Sequence, residues 1–215
     1  MIRRHLKKVA LIRSLARRCA RFIGSRRLRI LAASRARKRI VIGASGLYDR
    51  GWIPTEQDFF DMLEPSDWAR YFQPGSIDAM LAEHVWEHIT EEEGRIAAKM
   101  CFEYLTPGGY LRVAVPDGLH PSADYIEAVR VGGSGEGADD HKVLYTYRTL
   151  KDVFEGAGFA VTLYEFFDES GEFHYEEWRP EDGMIWRSKR YDERNKGGRL
   201  DYTSLVLDAV KKAAP

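Results

Sequence analysis

Residues 81–88 read "LAEHVWEH", and within them His84, Glu87 and His88 spell H-x-x-E-H. Two imidazoles one helical turn apart beside a glutamate form the donor set of an inverted zinc peptidase, whose carboxylate activates a metal-bound water. That chemistry needs both histidines on one face of a continuous helix. Other groups able to move protons stand further along: Asp117 and His120 behind one apolar run, and His141 behind a glycine-rich stretch. They can act only if the fold brings them to one crevice. Gly43, Ser45 and Gly46 follow an earlier apolar run, and Glu56 closes the next. Glycines after a first strand let backbone approach a ligand, and an acid ending the second strand can accept two hydrogen bonds from a ribose diol.

The elements that must position these groups are short apolar runs alternating with amphipathic helices, the pattern of an α/β sheet. Residues 39–43, 51–56, 76–83 and 109–117 read as successive strands, with Pro54 implying that the second is short or irregular. Between the last two, Thr90 and Glu93 form a capping box, and glutamates 91–93 suit the start of a helix. Ile96, Ala97, Met100, Cys101, Tyr104 and Leu105 give it an inner face, and the "TPGG" of 106–109 stops it. Residues 121–130 and 146–159 read as further helices, 131–140 as a mobile loop able to act as a lid, and 159–167 and 202–210 as the closing strands. The aromatic span 168–201 reads as an extended hairpin insertion. Its Phe173, His174, Tyr175 and Trp178, with Tyr145 and Tyr147 before it, are candidate pocket-lining aromatics.

This order changes the reading of "LAEHVWEH". A strand runs in through Ala82 and the helix starts only after Thr90, so His84 and His88 need not share a helical face, and no metal is expected there. In open α/β sheets ligands collect at the carboxyl ends of strands, where Gly43, Glu56, Glu83 and Asp117 would converge.

Net charge is zero, but residues 1–39 hold 15 Lys and Arg and no acid, leaving 18 bases against 33 acids in the remainder. Residues 1–38 therefore read as a basic helical arm on an acidic domain, 39–215. Ile2, Leu6, Val9, Ile12, Leu15, Cys19, Phe22 and Ile23 draw an apolar stripe along the arm. It could contact anionic lipid or pack on the body. Its longest clean apolar run, Val9 to Ile12, is too short for a signal-peptide core or a membrane span. Two cysteines make no disulfide framework, so a reducing, cytoplasmic setting is expected, with the arm peripheral at a membrane if it binds lipid. An acidic body without a groove-reading motif argues against a nucleic-acid partner.

The runs "IVIGASGLYDRGWIPTE", "SIDAMLAEHVWEHITEEEG" and "LTPGGYLRVAVPDG" resemble the class I S-adenosylmethionine-dependent methyltransferases, in particular a small subgroup similar to methyltransferase type 11. The resemblance covers roughly residues 38–118. It implies a Rossmann-like three-layer fold around a mostly parallel seven-stranded sheet with an antiparallel last strand. Residues 43–51 are too few for a full first crossover helix, and the extra N-terminal helix is expected to cover the sheet face so left bare. The resemblance also implies S-adenosylmethionine as cofactor, with Gly43, Ser45 and Gly46 beside its methionine part and Glu56 on the ribose. Asp61 and Met62 would lie at the adenine, and Glu83 and His84 would face the sulfonium.

The reading favoured is a methyltransferase acting on an oxygen or nitrogen of a small-molecule or glycan-type acceptor, with Asp117, His120 and His141 as candidate catalytic groups. A non-catalytic binding or scaffold module is the alternative, motivated by a "GASG" loop with two glycines and no acid. A zinc peptidase is the third.

Overall fold

The computed structural model describes residues 21–34, 36–46 and 48–213. The stripe residues from Ile2 to Cys19 lie outside that range. A helix, α1, covers 21–33. The strands are β1 Arg39–Val41, β2 Ile53–Pro54, β3 Ile77–Glu83, β4 Leu105–Pro116, β5 Ala160–Phe167, β6 Phe173–Tyr175 and β7 Ser204–Val210. The remaining α-helices are α2 Pro65–Tyr71, α3 Glu91–Tyr104, α4 Ala123–Val129 and α5 Tyr147–Glu155.

One sheet takes the order β2-β1-β3-β4-β7-β5-β6. β2, β1, β3 and β4 pair in parallel, and β7 runs antiparallel between β4 and β5. β6, from the insertion, adds a second antiparallel strand at the far edge. The chain leaves β1 toward β2 on one side and returns to β3 on the other, so the switch point of this doubly wound sheet lies between β1 and β3.

Right-handed crossovers leaving a switch point in opposite directions put their connections on opposite faces. α3, between β3 and β4, packs on the face built from Ile40, Ile42, Met80, Ala82, Leu111 and Val113, together with α2 and α5. The capping box of α3 is present, with the Thr90 hydroxyl accepting from Glu93 N and the Glu93 carboxylate accepting from Thr90 N. Its buried stripe is Gly94, Ala97, Ala98, Cys101 and Tyr104. Ile96 points outward, 47% exposed, against the expectation. "TPGG" does not end the helix as a free turn. It lies within β4, where the register with β3 shifts between Ile77 and Ala79.

The first crossover, residues 42–52, shows no helix among its described residues and contributes Ala44 and Trp52 to the other face, beside Val41, Leu81, Ala114 and Val206. α1 does not cover this face. Its Leu28, fully buried, joins the helical side with Phe59 and Tyr71, and the Ser25 hydroxyl lies 2.9 Å from that of Tyr71. Phe22 and Ile23 are exposed, so the packed stripe is Gly24, Leu28, Leu31 and Ala32 rather than the one expected. The bare face is covered by the insertion instead, through Trp178, Met184, Ile185 and Tyr191. The third layer is therefore a folded-back segment and not a row of helices.

Strand side chains hold that segment. Arg112, 2% exposed on β4, bonds both carboxylate oxygens of Asp208 on β7 and donates to Arg179 O and Gly183 O of the insertion. Glu165 on β5 accepts from Lys189 N, Trp178 Nε1 and Thr203 Oγ1. Among the described residues no helix is long and apolar enough to cross a membrane.

Candidate functional site

At the end of β1 the chain turns through left-handed conformations at Gly43 (φ 61°), Ser45 (φ 46°) and Gly46 (φ 83°). Ala44 N donates to Thr55 O, while Thr55 N and its hydroxyl donate to Val41 O, tying the loop to the end of β2. Glu56 follows, and the backbone amides of Ser45 and Gly46 act to lower its pKa. Burial nevertheless outweighs them and raises its pKa. β3 ends at Glu83, and His84 adopts φ 55° before the single 3-10 turn Trp86–His88. The H-x-x-E-H residues thus share no continuous helix, which removes the peptidase geometry.

Two clefts open at the switch point. Gly43, Ser45, Glu56, Asp61, Met62 and His84 line the first, so six of the eight expected cofactor residues meet in one place. Asp61 is partly engaged, its Oδ1 accepting from Leu63 N. The second cleft is lined by Tyr48, Trp186, Arg187, Arg194, Tyr202 and His141, with Gly135–Ala138 on one side. Gly43, Ser45, His84 and His88 line both. Gly46 lines neither. Glu83 borders the second, but its carboxylate accepts from Trp186 N (3.2 Å) and Arg187 N (2.7 Å), so it holds the insertion rather than facing the first cleft.

Asp117 and His120 line neither cleft. Asp117 is fully buried, and its carboxylate accepts from Phe167 N and Leu119 N. Burial outweighs these bonds and pushes its pKa up to about 6. His120 stacks on Tyr125 at 4.0 Å and meets Phe167 edge-on, and burial lowers its pKa to about 4. Both pack at the β4–α4 junction, with their side chains engaged by Phe167, Leu119 and Tyr125. The glycine-rich segment 131–140 is not a loose lid: Ser134 N and Gly135 N donate back to Glu127 O and Ala128 O of α4.

The candidate pocket aromatics lie elsewhere. Tyr145 is buried in the helical core, Tyr147 bonds Glu169 at the surface, Phe173–Tyr175 form edge strand β6, and Trp178 lies under Arg112. The cleft residues Trp186, Arg187, Arg194 and Tyr202 come from a stretch without hydrophobic period. Its one usable signal is the recurrence of arginine and aromatic residues over 186–202.

The two shifted groups oppose each other in pH. Asp117 favours the folded state below its unfolded value of 3.8, and this is lost as pH rises through about 6. His120 favours it above 6.5, and this is lost as pH falls through about 4. Between pH 4 and 6 the slopes cancel. In His120→Phe, which keeps the stack, urea unfolding at a series of pH values should show stability falling as pH rises across that window, by at most ~1.4 kcal/mol per unit. A flat or rising profile would contradict the buried, proton-holding state of Asp117.

No model of a known protein family matches the chain. Solved structures of similar architecture include a SAM-dependent methyltransferase from Archaeoglobus fulgidus, 15% identical, with 89% of this chain and 94% of that one covered and a TM-score of 0.48. Another is a SAM-dependent methyltransferase from Thermotoga maritima, 16% identical, with 92% of each chain covered and a TM-score of 0.49. In sequence, 107 residues, 47% of this chain, are 26% identical to an uncharacterised methyltransferase of Bacillus cereus, and the match spans 50% of that protein's length. The sheet order and the crevice at the β1/β3 switch point are those of a doubly wound α/β fold, and about half of the chain is similar in sequence to about half of that methyltransferase.

Proposed function

We propose that this protein is a methyltransferase that takes S-adenosylmethionine in the first cleft and an acceptor in the second. The observation that carries the reading is the meeting of Gly43, Ser45, Glu56, Asp61, Met62 and His84 in one cleft that opens into another. Their chemistry fits the cofactor. Phe60, Met62 and Leu63 offer apolar surface beside the carboxylates of Glu56 and Asp61, a combination suited to an adenosine whose sulfonium is positive. When bound, that cofactor supplies an already activated methyl, so the chain's work is alignment and exclusion of water. Gly43 and His84, common to both clefts, would set the approach of the acceptor atom.

The acceptor would present an oxygen or nitrogen at that junction. Trp186 and Tyr48, 41% and 42% exposed at the second cleft, are platforms for a sugar or other planar face, and Arg187 and Arg194 add positive charge. This supports a small-molecule or glycan-type acceptor carrying an anionic group. His141, of the three candidate catalytic groups, is the one that lines this cleft.

A binding module without catalysis is the second reading, favoured by the "GASG" loop with two glycines and no acid. Calorimetry with S-adenosylmethionine separates the two. The methyltransferase reading expects binding, weakened by about 1–3 kcal/mol in Glu56→Ala. Absence of binding at millimolar cofactor would leave the module, and unchanged affinity in the variant would move the ribose contact elsewhere.

A further inference from the structure

Glu87 sits in the turn Trp86–His88 with 1% of its surface exposed. Its Oε1 lies 2.9 Å from His84 Nδ1, yet off the direction of the ring N–H, and neither carboxylate oxygen has a hydrogen-bond partner. A buried carboxylate so placed calls for a cation. The Glu87 carboxylate and one ring nitrogen each of His88 and His141 all lie within 4.8 Å of one another.

The His141 imidazole is held as metal-bound imidazoles usually are, by a partner on its other nitrogen. His141, 7% exposed, has Nδ1 2.7 Å from Val129 O. A carbonyl only accepts, so Nδ1 carries the proton and Nε2 keeps a free lone pair. His88 has Nδ1 3.5 Å from an Asp140 carboxylate oxygen, and its ring stands edge-on to His141 with centroids 4.9 Å apart.

We propose that Glu87, His88 and His141 bind one divalent first-row transition ion, zinc foremost. Two imidazoles and a carboxylate form the donor set of zinc sites that keep a fourth position open. His88 borders both clefts and His141 the second, so the open position faces the acceptor cleft. On the methyltransferase reading, from which this role follows, an acceptor hydroxyl in that position is acidified by the ion and releases its proton to water. The grouping differs from H-x-x-E-H: His84 drops out, and a histidine more than fifty residues later takes its place.

The test uses the full chain, stripped with chelator and dialysed. Cobalt(II) is titrated by its visible absorption, and bound zinc is measured by elemental analysis. One ion per chain is expected. His88→Ala and the isosteric Glu87→Gln should each weaken binding by more than the roughly 10–100-fold that outer-shell changes cost. His174→Ala, in the exposed group Asp168, Glu172 and His174, should leave it unchanged. Circular dichroism reports whether each variant folds, and the wild-type stoichiometry decides the case if one does not. No ion on the wild type, full uptake in both folded variants, or loss in His174→Ala overturns the site. Calorimetry with S-adenosylmethionine is read separately. Metal without cofactor binding keeps this site and removes the methyltransferase reading, while cofactor binding without metal does the reverse.

Discussion

Arg112→Ala is expected to destabilise the protein by about 3–5 kcal/mol in urea unfolding, the usual cost of breaking a buried ion pair from one side. The guanidinium fills a slot between the rings of Trp178 and Tyr164, 5.1 and 5.5 Å from their centroids, and makes two bonds to Asp208 at 2.8 and 2.9 Å. Its other bonds, 2.9 Å to Arg179 O and 2.8 Å to Gly183 O, fasten the insertion to the sheet. Truncation leaves Asp208 charged and 7% exposed with no partner, and two carbonyls without their donor. Arg112→Met with Asp208→Leu removes the orphan charge, so the double variant should recover much of the lost stability while the insertion stays loosened. The measurement is the unfolding midpoint of both variants against wild type. A single variant within ~0.5 kcal/mol of wild type would show that the pair contributes no more than a surface one.

Gly43→Ala carries the second large effect. Gly43 has φ 61°, and a Cβ built on it would stand 2.9 Å from Val85 Cγ2. The added methyl meets a left-handed backbone and a side chain at once, for an expected cost of about 1–3 kcal/mol. The loop must shift to accommodate it, and because Gly43 lines both clefts, affinity for S-adenosylmethionine should fall with stability. Adding Val85→Ala relieves the contact but not the backbone strain, so it should restore part of the loss. Full restoration would assign the whole effect to the clash, and a fully stable single variant would mean that the turn is free to rearrange.

The parts of the fold legible in the sequence are those written in local pattern. α3 is announced by Thr90 and Glu93, and β4 by its apolar run, because caps and periodicity act over a few residues. Gly43, Ser45, Glu56 and His84 of the first cleft were legible because each follows a strand end, and a doubly wound sheet gathers strand ends. Asp117 also follows one, yet it turns inward to Phe167 N, a bond spanning 50 residues that no local pattern signals. The arm shows the same limit: an apolar stripe says that a helix will pack, not against what, and α1 chose the helical face through Leu28. The cover of the opposite face was hidden because its anchors are polar. Arg112 meets Asp208 across 96 residues, and Glu83 meets Arg187 N across 104.

Those anchors share one property. Glu83 grips backbone amides of Trp186 and Arg187, Arg112 grips the carbonyls of Arg179 and Gly183, and Glu165 grips the amide of Lys189. At these anchors the sheet therefore recognises the main chain of the segment that walls the second cleft, while Trp178, Met184 and Ile185 pack on it through their side chains. Positions 186 and 187 are free to vary in type while the wall keeps its place, so the lining of the second cleft can change by exchanging side chains without renegotiating the fold.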